Sequence, residues 1–248
     1  MGRTIQVCGP QVRLGASALL LLVLAAPFDA VAVPAGDSED VAGQEIVQKY
    51  LEASRTQQSV LRGGQMEVKM NAKLPRLDKQ GVLLALRRIS NFGKITYKAL
   101  GFSGDNMVKN EVIARYLTLD AEGNDVAITP ANYKFKYKGQ TSHQGRQVYL
   151  FQVTPRRKAV GLFRGELWLD SETAMPVHQA GRFVKTPSVF LKKVEFAQEY
   201  ELQDGIAIPK HFQGTADMRL VGRAELSIDF SNFTRQLADE ELTNASNQ

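Results

Sequence analysis

Apolar residues recur at every second position over most of the chain, and this period constrains the fold more than any other feature. Tyr133, Phe135 and Tyr137 alternate with three lysines, as in a strand with one dry and one wet face. The pattern predicts ten or eleven strands, of which the clearest begin near residues 64, 82, 95, 133, 148, 162, 177, 189, 206 and 218. Asp204-Gly205 predicts a tight type I′ hairpin turn, whereas 139–145 predicts a longer loop.

Two segments have helical spacing instead. Residues 40–54 carry apolar side chains three or four positions apart, so they predict an amphipathic helix after a linker at 33–39. Asp105 can cap a second helix, which ends near Gly123 and interrupts the strands after the third one. Because this helix is inserted into a run of strands, we expect it to cover the sheet as a lid.

These elements predict a mainly β fold of the α+β class, in which two helices cover a single strongly curved antiparallel sheet or a barrel. No linker composition separates two halves of the chain. We therefore expect one domain over 40–235, followed by a polar tail at 236–248.

The first 32 residues predict a cleaved export signal. Arg3 and Arg13 precede an apolar run at 14–26, and Ala30-Val31-Ala32 offers the small residues of a cleavage site. The run is short for a bilayer span, which takes about 20 apolar residues, and an uncleaved anchor is the alternative. The single cysteine, Cys8, precedes this run. The exported chain would then be cysteine-free and unlipidated, as suits a bacterial periplasm.

Composition and motifs argue against catalysis. A net charge of +5 is too diffuse to indicate nucleic-acid binding. His143, His178 and His211 have no second histidine or cysteine at metal-ligand spacing, so we expect no metal site. No G-x-S-x-G elbow or HExxH pair occurs. We expect neither an enzyme nor a cofactor, and a hydrolase using His178 or His211 is the weakest alternative.

Two local features each have a structural and a functional interpretation. The basic segment 155–158 lies in a predicted turn, where it would either meet an anionic headgroup or partner or merely discourage edge pairing. Trp168, the only tryptophan, alternates with Glu166 and Asp170 and so projects toward a polar face. It would contact a helix or the rim of a cavity there.

The predicted strands carry more apolar surface than two helices of about four turns can cover. Burying one such side chain is worth roughly 1.5–3 kcal/mol, so the concave face must be filled by protein or occupied by an apolar guest. An ordinary packed core and a ligand cavity both remain open. The residues expected on that face are Tyr133, Phe135, Tyr137, Tyr149, Phe151, Val153, Val194, Phe196, Tyr200, Leu226, Ile228 and Phe230.

One stretch of the sequence is similar to a known family. The hexapeptide Gly165-Glu166-Leu167-Trp168-Leu169-Asp170 is followed by Pro176, the strand 194–200, Asp204-Gly205 and Pro209. This order resembles the pattern of the periplasmic outer-membrane lipoprotein carrier superfamily, the LolA-like group that includes LolB and the lipoprotein-sensing domain of RseB. The resemblance implies an unclosed half-barrel, lined with apolar side chains and lidded by helices, which shields acyl chains from water.

The same resemblance implies a role for one arginine. Carriers of the superfamily have an arginine in an early strand, within a K-R-P-x-x-F stretch, that hydrogen-bonds to the lid in the closed form. Here 87–92 read Arg-Arg-Ile-Ser-Asn-Phe, which matches the arginine and the phenylalanine four residues later. The implied lid latch is Arg88, with Ile89 in place of the proline.

Two functions follow from these observations. The first is a periplasmic, non-enzymatic carrier that holds a lipoprotein acyl group or another lipid. The alternative is a regulatory or interaction module that senses lipoproteins or docks a membrane partner. The expected partners are an acylated lipoprotein or lipid and an inner- or outer-membrane protein, with no nucleic acid, and we expect a monomer.

Overall fold

The computed structural model describes residues 35–121, 127–186, 191–219 and 221–235. The chain divides after Pro34 into two units, and every described residue belongs to the second, Ala35–Gln248. The predicted signal at 1–32 and the predicted polar tail at 236–248 lie outside the described residues, so both stay predictions.

The described part of the chain contains two longer helical segments, ten strands and a short 3₁₀ turn at Pro75–Leu77. The helix α1 spans Ala35–Leu61, and α2 spans 106–121 between the third and fourth strands. The strands are β1 Gly64–Leu74, β2 Lys79–Ile89, β3 Ile95–Gly104, β4 Tyr133–His143, β5 Arg146–Pro155, β6 Phe163–Asp170, β7 Pro176–Phe183, β8 Leu191–Gln203, β9 Ile206–Met218 and β10 Gly222–Arg235.

All ten strands belong to one antiparallel sheet in the order β3-β2-β1-β10-β9-β8-β7-β6-β5-β4. Neighbours in the sequence pair as hairpins, and the first strand pairs with the last. The edge strands β3 and β4 do not pair with each other along the described residues, so the sheet is not closed into a barrel. The predicted fold, a single antiparallel sheet with an N-terminal helix and an inserted helix, is confirmed.

The first helix is longer than the sequence predicted. It begins at Ala35, inside the segment expected to be a linker, and it continues seven residues beyond Ser54. The extension is fixed at its far end by Gln57, whose Nε2 donates to the Ala207 carbonyl at 3.0 Å while its Oε1 accepts from the Ala207 amide at 3.2 Å. None of the described helices is both long and apolar enough to cross a bilayer.

The inserted helix forms where the sequence predicted it. The Asp105 carboxylate accepts a hydrogen bond from the Met107 amide at 2.7 Å and so caps its first turn. A wide π-helical turn, Lys109–Ile113, separates this turn from the regular α-helical part, Ala114–Ala121. Such wide turns occur mostly as local features within helices and often near functional sites.

The two helices bury different halves of the sheet. Val108, Val112 and Ile113 of α2 join a core built on β1, β2 and β10. Ile46, Val47 and Tyr50 of α1 join a second core built on β4, β5 and β6. The central strands β7–β9 therefore lie between the two helix-covered regions.

Of the two connections predicted from glycine-containing segments, the structure has one as a turn and the other as part of a strand. Asp204 and Gly205 join β8 and β9 with φ of 50° and 76°, so the predicted two-residue turn is confirmed. The predicted loop at 139–145 is wrong. The register of β4 shifts between Tyr137 and Gln140, where Gly139 has φ of 105°, and the strand then continues to His143. The glycine marks a β-bulge within the strand rather than its end.

A pair of glycines lets the neighbouring strands β6 and β7 approach closely. Gly165 of β6 lies opposite Gly181 of β7. A Cβ on Gly165 would overlap the Ala180 carbonyl oxygen, and one on Gly181 would overlap the Arg164 carbonyl oxygen. Any side chain at either position would push the two strands apart, so both positions require glycine.

Candidate functional site

A cavity of about 570 Å³ lies between α2 and the central strands of the sheet. Its wall on the sheet side includes Phe163, Phe196 and Phe212, and α2 contributes Tyr116 and Leu119. The Phe196 and Phe212 rings are stacked with centroids 6.1 Å apart, and Tyr116 contacts Phe212 at 5.3 Å. The volume falls in the range of about 300–1,000 Å³ typical of small-molecule sites.

Five of the twelve residues predicted to line the cavity do so, namely Val194, Phe196, Tyr200, Leu226 and Phe230. The remaining seven do not form its wall. Ile228 is fully buried in the core beneath α2. Tyr149 lines a separate, more polar recess of about 340 Å³ beneath α1. Those that belong to the core beneath α1 are Tyr133, Phe135, Tyr137, Phe151 and Val153.

The position of α1 explains why most of the predicted wall residues of β4 and β5 do not line the cavity. Helix α1 approaches β4 so closely that a Cβ on Gly43 would lie 3.0 Å from the Tyr137 Cβ. The aromatic side chains of β4 and β5 are therefore used to bind the helix. Strand alternation identifies the inward face but does not reveal which part of that face a helix occupies, so the space remains over β7–β9 instead.

A partly buried polar cluster joins α2 to the sheet at the cavity wall. The Arg87 Nε lies 3.1 Å from the Asp120 Oδ2, and the Tyr97 hydroxyl donates to the same oxygen at 2.6 Å. Arg87 also donates to the Tyr97 hydroxyl at 3.2 Å. Arg87 belongs to β2, Tyr97 to β3 and Asp120 to α2, so the cluster connects the inserted helix to an edge of the sheet.

The arginine in this cluster is not the one that the resemblance implied. Arg88 is exposed, whereas the Arg87 side chain is only 10% exposed. Adjacent residues of a strand point to opposite faces, and Arg87 shares the inner face with the buried Leu83 and Ala85. The resemblance selected Arg88 by its spacing to Phe92, whereas the alternation of side chains along β2 places Arg87 on the inner face, where it contacts Asp120 of α2.

Burial and neighbouring charges shift the pKa values of the arginine and of the tyrosines in and around this cluster. Burial alone would lower the pKa of Arg87, but the neighbouring Asp120 and Tyr97 outweigh it and raise that pKa. Burial, reinforced by the charge of Asp120, raises the pKa of Tyr97 and of Tyr116. Burial also raises the pKa of Tyr200 in the cavity wall. The guanidinium stays charged and the three phenols stay neutral near pH 7.

These raised pKa values predict a loss of stability in alkaline solution. Tyrosines in the unfolded chain release their protons near pH 10, whereas Tyr97, Tyr116 and Tyr200 keep theirs in the folded protein. Above pH 10 the unfolded state therefore binds fewer protons, and the free energy of unfolding should fall with pH. Each such tyrosine contributes at most about 1.4 kcal/mol per pH unit. Denaturant titrations between neutral and alkaline pH measure this slope.

The control is Tyr200→Phe, which removes one of the protons retained by the folded state. Above pH 10, the free energy of unfolding of this variant should fall less steeply with pH, by the contribution of one tyrosine. The slope near pH 7 should be unchanged. If tyrosinate absorbance instead developed completely near pH 10 while the protein stayed folded, the assignment of these phenols as buried would be contradicted.

The convex face, opposite the cavity, carries the single tryptophan, His143, His178 and Glu199. Trp168 projects there, as predicted from its polar neighbours, but its ring contacts the His143 ring at 4.9 Å and the His178 ring at 4.8 Å and does not line the cavity as expected. Both histidines contact Glu199. Because residues 143, 178 and 199 come from β4, β7 and β8, no local spacing in the sequence brings them together.

Two of the sequence motifs have structural roles. Asp170 is buried, and its Oδ1 accepts hydrogen bonds from the Thr173 amide at 2.9 Å and from the Thr173 hydroxyl at 2.8 Å, which fixes the β6–β7 turn. The basic segment 155–158 forms the connection from β5 toward β6, and the Arg156 Nε donates to the Pro130 carbonyl at 2.6 Å. Arg157 and Lys158 are exposed there.

Comparison with protein families gives one match. A model described as a family of unknown function, DUF5686, matches residues 127–236, which is less than half of the chain and includes β4 to β10. No curated protein matches the sequence.

The chain is also similar to several solved structures. A domain described as an outer-membrane lipoprotein-sorting protein domain from Vibrio parahaemolyticus has 12% identity and a TM-score of 0.43, over 80% of this chain and 94% of that one. A LolA superfamily protein from Nitrosomonas europaea has 14% identity and a TM-score of 0.39, over 80% and 96%. A chain of the MucA/MucB complex of Pseudomonas aeruginosa has 11% identity and a TM-score of 0.28, over 78% and 100%. Structures of the superfamily that the sequence resembles are thus among these matches.

Proposed function

We propose that the protein is a non-enzymatic periplasmic carrier that holds one acyl chain, from a lipoprotein or another lipid, in the cavity between α2 and the sheet. The observation that carries this proposal is the cavity itself, a space of about 570 Å³ whose wall is built mainly from aromatic and aliphatic side chains. The predicted export signal supports the periplasmic location.

Binding of an acyl chain in this cavity would be driven by the removal of hydrocarbon from water. Each methylene removed from water contributes about 0.8 kcal/mol, so a chain of a dozen carbons gains enough to leave the solvent. An apolar cavity binds such a chain without directional contacts, which suits a carrier that accepts cargo of varied head groups. No covalent step is needed.

The polar cluster supplies a means of opening. Arg87 and Asp120 both lie at the cavity wall, one on the sheet and the other on α2. While they are paired, they hold the inserted helix against β2 and β3. We expect separation of this pair to accompany entry of the acyl chain.

Two measurements test the proposal. The first is mass spectrometry of an organic extract of gently purified protein, in which lipid should be recovered. The second is titration with a fluorescent fatty acid, which should bind saturably at one site per chain and be displaced by an acylated peptide. Failure to bind any apolar probe, with no lipid recovered from the purified protein, would contradict the proposal.

Exposed apolar side chains on β2 and β3 favour a second candidate, a module that docks a membrane partner. Phe92, in the turn between these strands, is 96% exposed, and Leu84 and Leu100 are 47% and 59% exposed. A stoichiometric membrane protein recovered with a lipid-free form of this chain, and lost in Phe92→Ser, would favour this candidate over the carrier.

A further inference from the structure

Two histidines and one carboxylate converge on the convex face, on the opposite side of the sheet from the cavity. The His143 Nε2 lies 3.2 Å from the Glu199 Oε2, and the His178 Nδ1 lies 2.6 Å from the Glu199 Oε1. The nitrogen and oxygen donor atoms of all three side chains lie within 4.8 Å of one another. The side chains are 15–26% exposed, so the cluster is partly sheltered yet open to solvent.

The arrangement is set by the sheet. Trp168, His178, Glu199 and His211 are successive cross-strand partners on β6, β7, β8 and β9. His143 reaches this row from the end of β4, beyond the bulge at Gly139. The Trp168 ring system lies beside the cluster and contacts both imidazoles, with interplanar angles of 90° to His143 and 49° to His178.

The donor set fits a transition metal. Neutral imidazole nitrogens and a carboxylate oxygen are the ligands of three-residue zinc sites, in which water holds the fourth position. A tetrahedral ion with bonds of about 2.1 Å holds its ligand atoms about 3.4 Å apart. The donor atoms here lie within 4.8 Å of one another, so the widest separation would need to close by about 1.4 Å. Hard cations such as Ca²⁺ prefer all-oxygen sites and do not fit.

We propose that His143, His178 and Glu199 bind one divalent first-row transition-metal ion, with Zn²⁺ as the best fit. The ion would replace the contacts that the two histidines now make with the carboxylate. Since the ligands come from β4, β7 and β8, bound metal would fasten the β4–β5 hairpin to the middle of the sheet. The site lies on the face opposite the lipid cavity, so it stands independently of the carrier proposal.

The protein contains its own probe and its own control. Trp168 is the only tryptophan, and it touches both proposed histidine ligands. His211, the third histidine, lies in the same row but is paired with Asp229 at 2.7 Å and is not part of the cluster. The matched variants are therefore His143→Gln and His178→Gln against His211→Gln.

The experiment uses untagged, metal-free protein. Titration with NiSO₄ should quench Trp168 fluorescence saturably, and ZnCl₂ should compete. Calorimetry with ZnCl₂ should give one ion per chain. Changes beside metal ligands commonly cost 10–100-fold in affinity, so loss of a ligand in His143→Gln or His178→Gln should weaken binding by more than about tenfold. His211→Gln should bind as the unaltered protein does.

A second readout keeps the result independent of fluorescence. ZnCl₂ should raise the melting temperature of the unaltered protein and of His211→Gln but not that of His143→Gln, although all three should have the same circular dichroism without metal. The proposal would be overturned if His143→Gln and His178→Gln bound Zn²⁺ as tightly as the unaltered protein, or if His211→Gln lost as much affinity as they do. Absence of saturable binding to the unaltered protein would also overturn it.

Discussion

Replacing Arg87 with methionine is expected to lower the free energy of unfolding by about 3 kcal/mol. The substitution keeps much of the side-chain volume but leaves the Asp120 carboxylate without its cationic partner. Removing one member of a buried ion pair typically costs about 3–5 kcal/mol, and the lower end applies because Asp120 is 26% exposed. Denaturant unfolding at neutral pH measures the change, with an unaltered m-value showing that the folded state stays compact.

The neighbouring residue provides the control. Arg88→Met makes the same chemical change one position away, on the exposed face of β2. Exposed substitutions away from specific contacts usually lie within about 0.5 kcal/mol. A loss in Arg88→Met as large as in Arg87→Met would show that the inner-face cluster does not hold the helix.

A double variant separates the ion pair from packing. Adding Asp120→Leu to Arg87→Met removes the unpaired carboxylate, so part of the lost stability should return. If the double variant were instead less stable by the sum of both single losses, the two side chains would act independently.

Most of the sheet could be predicted from the sequence because strand formation is a local pattern. All ten strands begin within a few residues of their predicted positions, since alternation and turn residues are properties of neighbouring positions. Asp204-Gly205 has a single favourable turn geometry and was predicted correctly. Gly139 was misread because a glycine with positive φ serves a bulge as readily as a loop.

The site was harder to predict because it depends on contacts between distant residues. Alternation identified the inner face, but the position of α1 over β4 and β5 decided which inner residues were left around the cavity. The arginine that contacts α2 is Arg87, one position before the predicted Arg88, and in a strand one position reverses the face. His143, His178 and Glu199 are far apart in the sequence and come together only through the pairing of the strands. The prediction of no metal site considered only the spacing of ligands along the sequence, so it could not detect this cluster.

Filling the cavity tests the carrier function directly. Ala216 of β9 lines the cavity between its cross-strand partners Val194 and Ala224. In Ala216→Trp, the indole would occupy space that we assign to the acyl chain. Excluding about four methylenes would weaken binding by about 3 kcal/mol, which corresponds to about a hundredfold increase in Kd. Titration with a fluorescent fatty acid measures the change.

The matched control is Ala197→Trp, which introduces the same side chain on the convex face. Ala197 lies on β8 opposite Ala180 and Gln213, and it is not part of the cavity wall. This variant should bind the fatty acid as tightly as the unaltered protein, and both variants should unfold cooperatively. If Ala216→Trp folded normally and kept its affinity, the acyl chain could not occupy this cavity, because the hydrocarbon and the indole cannot fill the same space beside Val194.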